Sequence, residues 1–184
     1  MKPTEDLMND HAAISIMLDI MQEMAGRINR EEHIDTGHVE KVIDFLKNFA
    51  DKCHHGKEEA VLFPALVEAG LPAQNGPVGM MLYEHSQGRE YIGRMIEALG
   101  KMEKNDREVS RELSEAMLQY AQLLRSHIMK ENSVLFPMAD DMLNPAQQEE
   151  IFEKFEEIEE KLNDHQSHQE YHNLIKQLQA IYLK

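Results

Sequence analysis

Two stretches of this chain, 54-HHGKEEAVLFP-64 and 127-HIMKENSVLFP-137, share His, Lys, Glu, Val, Leu, Phe and Pro in register without a gap. Their offset is 73 residues, and at an offset of 74 Asp10-His11 aligns with Glu84-His85. A unit that recurs at this distance is one supersecondary element used twice. Each copy carries one lone His and then a His-x-x-x-Glu pair. Positions i and i+4 share a helix face, so the unit reads as two helices, each turning its polar group toward the other.

The rest of the chain agrees with helices and gives strands no foothold. Val, Ile and aromatic residues nowhere alternate with polar ones at strand length. There are 13 Met, no Trp, 5 Tyr and 6 Phe, and the remaining sequence is rich in Leu, Glu, Gln, Lys and Ala, all good helix formers. A first helix is expected from about Thr4, as N-cap, to Ile28, with Leu7, His11, Ile14, Leu18, Met21 and Ala25 on one face. A second, capped by Asp35 or Thr36, places Val39, Ile43, Leu46, Ala50, His54, Glu58, Val61 and Ala65 on its stripe, with Pro64 kinking or ending it. Pro77 opens a third, with Met81, His85, Gly88, Ile92, Met95 and Leu99 inward. A fourth, with Asn105 and Glu108 as a capping box, aligns Leu113, Ala116, Tyr120, Leu123, His127, Glu131, Val134 and Met138.

Short connections between long helices favour antiparallel neighbours. The fold class expected is therefore all-α, an antiparallel up-down four-helix bundle over residues 1–143. Residues 144–184 form a C-terminal helical extension that packs on it, opened by Asn144-Pro145 and broken near 163–168.

The balance of 34 acidic against 19 basic residues, a formal charge of −15, repels phosphate backbones and anionic lipid, so no nucleic acid and no membrane partner is expected. No run approaches the roughly 18 apolar residues of a membrane span. The first residues lack a signal-peptide core, and a single Cys excludes an internal disulfide. A cytoplasmic location is the expectation.

Six polar groups interrupt apolar stripes: His11, His54, Glu58, His85, His127 and Glu131. An unpartnered buried carboxylate costs several kcal/mol or is forced neutral. A cation removes that cost by taking carboxylate and neutral imidazole together. Four turns of helix converging at one level, with two-fold repetition, suit two ions, the two Glu bridging and each ion taking two His. Two octahedral ions then keep about four positions for an oxo or hydroxo bridge and small ligands. Mixed nitrogen and oxygen ligation favours iron and is compatible with manganese or zinc. Ferritin-like di-metal bundles use Glu-x-x-His, which occurs nowhere in this chain.

At these residues the chain resembles the hemerythrin-like (HHE cation-binding) family, over about residues 4 to 142. The resemblance implies a four-helix bundle around a non-haem di-iron centre that binds O2 or related small ligands. It also implies His11, His54, Glu58, His85, His127 and Glu131 as the metal ligands. Oxygen-carrying hemerythrins place His-x-x-x-His in the third helix. Met81 and Arg89 stand one turn either side of His85 here, so four His and two Glu are closer to the bacterial di-iron type linked to nitric oxide and iron-centre repair.

The functional expectation is a protein that engages O2, NO or peroxide, with an electron donor as a further partner. The alternatives are an enzyme of NO or peroxide reduction or iron-centre repair, and a structural zinc or manganese module. His55 and Glu59 sit one residue off the ligand pairs, about 100° around an α-helix, and read as surface groups or supports of the ligands. Arg89 reads as a salt bridge or an anion contact, and Tyr120 as a core residue or a donor in the pocket. His33 and His38 are candidates to reach over the open end of the site. His165, His168 and His172 read as a solvated face, and Cys53 carries no role.

Overall fold

The structure, a computed structural model, describes residues 1–102, 107–162 and 168–183. Every regular element among these residues is a helix. Helix α1 spans Pro3–Asn29. Helix α2 covers residues 36–68 without a break, but its regular α segments Thr36–Phe45 and Phe63–Glu68 flank two π-helical stretches, Leu46–His55 and Glu58–Leu62. Helix α3 spans Pro77–Gly100. Helix α4 covers residues 107–142 and repeats the device, with Arg107–Lys130, a π turn at Glu131–Leu135, and Phe136–Met142. Helices α5, Pro145–Leu162, and α6, His168–Tyr182, follow. No described helix is long and apolar enough to cross a membrane.

The four long helices alternate in direction, as their apolar residues show. One core cluster takes Ile14 and Leu18 from α1, Phe49 and Ala50 from α2, Ile92 and Met95 from α3, and Leu124 and Ile128 from α4. The other takes Leu7, then Leu62, Phe63 and Leu66, then Val78 and Met81, then Leu135, Phe136 and Ala139. Along α1 and α3 the second cluster comes first in sequence, and along α2 and α4 it comes last. This is an up-down bundle with a polar layer between two apolar plugs. The last two helices complete the plugs: Tyr171, Ile175, Leu178 and Tyr182 of α6 join the first, and Ile151 and Phe155 of α5 join the second.

The π turns move the inward face by one residue after each Glu. An α-helical stripe puts Val61 and Ala65 inward after Glu58, and Val134 and Met138 after Glu131. Instead Leu62, Phe63 and Leu66, and Leu135, Phe136 and Ala139, are buried, while Val134 is exposed. A π turn closes at i+5 rather than i+4, so the apolar set is displaced in both halves alike. Each π turn stops one residue before the Phe-Pro pair. The Pro ring cannot sit against the carbonyl four residues back in a regular α turn, and neither proline ends its helix.

One cap differs from expectation, and that of α2 agrees with it. Lys2, not Thr4, precedes α1, and its backbone N–H donates to Glu5 at 2.9 Å. Pro3 moves the start forward, and the Thr4 hydroxyl donates to Asp140 across the bundle at 2.7 Å. At α2, Asp35 is the N-cap, accepting from the N–H of Gly37 at 2.8 Å. Asn144 and Gln147 cap α5 reciprocally, at 3.0 Å each way. The Asn105 half of the box expected at α4 and the expected break near 163–168 fall largely outside the described residues, as does His165.

Candidate metal centre

The six expected residues all reach the polar layer, and a seventh joins them. Donor atoms of His55, Glu58, His85 and His127 lie within 4.8 Å of one another, and so do those of His11, His54, Glu58 and Glu131. All seven side chains are buried. The reading of His55 as a surface group or support is therefore corrected: it is 3% exposed and inside the cluster. Its ring stacks on that of His85 with centroids 3.8 Å apart. The physical reason is the π stretch that ends at His55. The wider turn narrows the regular 100° step between neighbours and shifts which residues face inward. The centre thus gathers five imidazoles and two carboxylates, one imidazole more than expected.

The inward atoms stand at separations that ligands of a shared cation would have. Glu58 Oε1 lies 3.6 Å from His54 Nε2, and its Oε2 lies 3.4 Å from His85 Nε2. Glu131 Oε2 is 3.2 Å from both His11 Nε2 and His127 Nε2. His85 and His127 bring their Nε2 atoms to 3.2 Å. Two donors at right angles on an ion with bonds near 2.1 Å stand about 3 Å apart. Both oxygens of Glu58, both of Glu131, and Nε2 of His11, His54 and His55 have no hydrogen-bond partner. Buried polar atoms are almost always satisfied. Seven orphaned acceptors in one layer fit a cation site.

The outward nitrogens explain why Nε2 faces in. Each Nδ1 meets an oxygen: Asn132 at 2.7 Å for His11, Asp10 at 3.3 Å for His54, Asp51 at 3.4 Å for His55, Glu59 at 2.7 Å for His85 and Glu84 at 3.1 Å for His127. Carboxylates accept only, so the proton belongs on Nδ1 and the Nε2 lone pair points inward, the arrangement that orients metal-binding imidazoles. Cations back this outer layer. Lys57 holds Asp6 at 2.8 Å and Asp10 at 3.2 Å and pairs with Glu159, while Lys130 pairs with Glu84. Arg89 bonds Asp51 at 2.8 Å and Glu59 at 2.7 Å. It forms a salt bridge that steadies two imidazole partners, the first of the two readings.

Much of this outer layer was missed, although the repeat contains it. Asp10 and Glu84 precede the lone histidines in both halves, and Lys57 and Lys130 align, as do Glu59 and Asn132. The alignment was the signal. Glu59 takes the supporting place expected of it.

Without metal, protons stand in for the missing charge. Burial opposes protonation of His127, but Glu131 and Glu84 outweigh it and push the imidazole up to about 10. Burial also opposes protonation of His54 and His85, yet neighbouring carboxylates raise both. His55 goes the other way: burial, reinforced by His85, His54 and His127, holds it well below the usual range. Burial raises Asp10, but His54 and Lys57 bring its carboxyl down to about 2.

The remaining candidates lie elsewhere. His38 Nδ1 is 3.0 Å from the Tyr182 hydroxyl, and His33 is exposed, so neither covers the centre. His172 is exposed, whereas His168 turns toward Cys53. Tyr120 is buried, with an unpartnered hydroxyl, and a side chain at Gly88 would meet its ring at 3.5 Å.

The family model described as the hemerythrin HHE cation binding domain matches residues 2–139. Uncharacterized protein Rv1995 of Mycobacterium tuberculosis and uncharacterized protein Mb2018 of Mycobacterium bovis are each 24% identical to this chain over 157 residues. The match covers 85% of this chain and 61% of each relative, so the chain spans under two thirds of the proteins it resembles. No solved structure matches.

Proposed function

The chain belongs to the hemerythrin HHE cation-binding family, and from that premise we propose that it holds two iron ions to engage a small ligand: O2, NO or peroxide. The observation that carries this reading is the position of Glu58, a member of both four-residue groups, with one oxygen toward each. Glu131 likewise touches an imidazole of each group. One group has three imidazoles and a carboxylate, the other two imidazoles and two carboxylates. Iron bound there would supply redox chemistry and coordination positions that the protein leaves open.

The chain's own residues do the rest. The five Nδ1 contacts hold each imidazole in the tautomer that offers Nε2 inward. Lys57, Lys130 and Arg89 offset the carboxylates of the outer layer, so those groups stay ionised without repelling one another. The apolar plugs on either side keep bulk water from the layer, which favours a small apolar gas over hydroxide.

Metal analysis together with an absorption spectrum before and after exposure to air tests the reading. Two irons per chain and an oxygen- or NO-dependent visible band are expected. Tightly held zinc with no such band would make the protein a structural module instead. Steady-state consumption of NO or peroxide with a defined electron donor would replace binding with catalysis. Replacing Glu58 and Glu131 together with Ala is expected to abolish both ions; two ions retained in that variant would sink the bridging arrangement.

A further inference from the structure

A second cluster of ligand-bearing side chains lies where the C-terminal helices meet α2. Cys53 Sγ, a carboxylate oxygen of Glu159 on α5 and a ring nitrogen of His168 on α6 all lie within 4.8 Å of one another. Cys53 is buried, and Glu159 and His168 are half-buried. None of the three belongs to the seven-residue centre. Adjacent positions on α2 diverge here: His54 turns into the bundle and Cys53 turns to α5 and α6.

The thiol faces His168 and Glu159 Oε1 pairs with Lys57, but no hydrogen bond joins all three groups. Cys53 Sγ and Glu159 Oε1 both face the same atom, His168 Nε2, at 3.6 and 3.8 Å. That nitrogen either accepts one bond or donates one. If it accepts from the thiol it has nothing to donate to Glu159, and 3.8 Å is too long for a hydrogen bond in any case. A cation seated among the three satisfies thiolate, imidazole and carboxylate together. The His168 ring is also held in place, since it leans on Phe49 with centroids 5.1 Å apart.

We propose that Cys53, Glu159 and His168 form a mononuclear site for a borderline-soft divalent cation, zinc above all, that clamps α5 and α6 to α2. Sulfur, nitrogen and oxygen ligation with one position left for water suits zinc. Uptake transfers the thiol proton to solvent and leaves thiolate on the metal. The site also touches the larger centre, because the Glu159 carboxylate pairs with Lys57, which in turn holds Asp10 beneath His54. The proposal does not depend on iron in the larger centre, which contains no sulfur.

Cobalt(II) is the probe that separates the two. A thiolate bound to cobalt gives an intense near-ultraviolet charge-transfer band that imidazole and carboxylate do not. The full chain, stripped of metal and titrated with cobalt chloride, is expected to develop this band and to saturate it at an intensity of one thiolate-bound cobalt per chain. The band should vanish in Cys53→Ser and fall at least tenfold in apparent affinity in His168→Ala, whose half-exposed ring can be removed without opening the core. It should persist in the double Glu58→Ala, Glu131→Ala variant. A full chain that shows no thiolate-to-cobalt band, or one indifferent to His168→Ala, overturns the site. Either result leaves the reading of the larger centre untouched.

Discussion

The two halves of the bundle are copies that have drifted apart, and their differences show which parts of the centre are shared and which are specialised. Both supply a lone His, a His-x-x-x-Glu, an acidic partner for imidazole and a Lys behind it. The first half alone adds His55, where the second has Ile128. Its Lys57 is fully buried among three carboxylates, one of them from α5, while Lys130 is 34% exposed with Glu84 alone. Its Glu59 supports His85 and also binds Arg89, whereas Asn132 supports only His11. The shared parts make the two adjoining groups of candidate ligands. The unshared parts make that pair unequal and fasten the first half to the C-terminal helices.

The largest predicted asymmetry is in the lysines. Lys57→Met strips three carboxylates of their common cation, and breaking a buried pair of this kind costs about 3–5 kcal/mol. Lys130→Met removes a partly exposed pair and should cost about 1 kcal/mol or less. Urea unfolding of both variants measures the difference; equal losses would mean that the burial of Lys57 is energetically irrelevant. Next comes His55, the seventh candidate ligand. His55→Ala should lower affinity for one of the two ions by at least about tenfold, read by metal analysis after dialysis against a chelator, on the precedent of lesser outer-layer changes. Ile128→Ala should cost stability, about 2–4 kcal/mol, with metal content intact. A His55 variant that keeps both ions as firmly as the parent would return this residue to a supporting role.

A further effect is one of protons. His127, raised to about 10 by Glu131 and Glu84 against the effect of burial, binds a proton in the folded metal-free chain that an ordinary imidazole has lost above 6.5. Its contribution to stability is complete below 6.5 and disappears as pH rises toward 10. His55, held low, has the opposite sign: it costs stability as pH falls below 6.5. Metal-free protein should therefore lose stability between pH 6.5 and 10, while the metal-loaded protein, with Nε2 engaged, should not. Metal uptake near pH 7.5 should release about one proton or more per chain, measured by calorimetry in buffers of different ionisation enthalpy. A flat stability profile in the metal-free chain would break the link between His127 and Glu131.

How much of this was legible from residues alone depends on how far α-helical periodicity could be trusted. It placed His11, His54, Glu58, His85, His127 and Glu131 in one layer because positions four apart share a face and the repeat supplied them twice. It failed at His55 and Val134, and left Val61, Ala65 and Met138 only half-buried, for one common reason: a π turn inserts one residue without leaving a signature in composition. It also passed over Asp10, Glu84 and Lys57, which look like ordinary surface charges until another helix covers them.

Hydrophobic patterning and a duplicated motif thus suffice for helices, their number in the bundle, and six of the inward groups, because these follow from local geometry repeated along the chain. The seventh imidazole, the outer ring of carboxylates and cations, and the meeting of Cys53 with Glu159 and His168 exist only once distant helices pack. Each depends on where a turn widens or which side chain arrives from across the bundle, and no local rule encodes that.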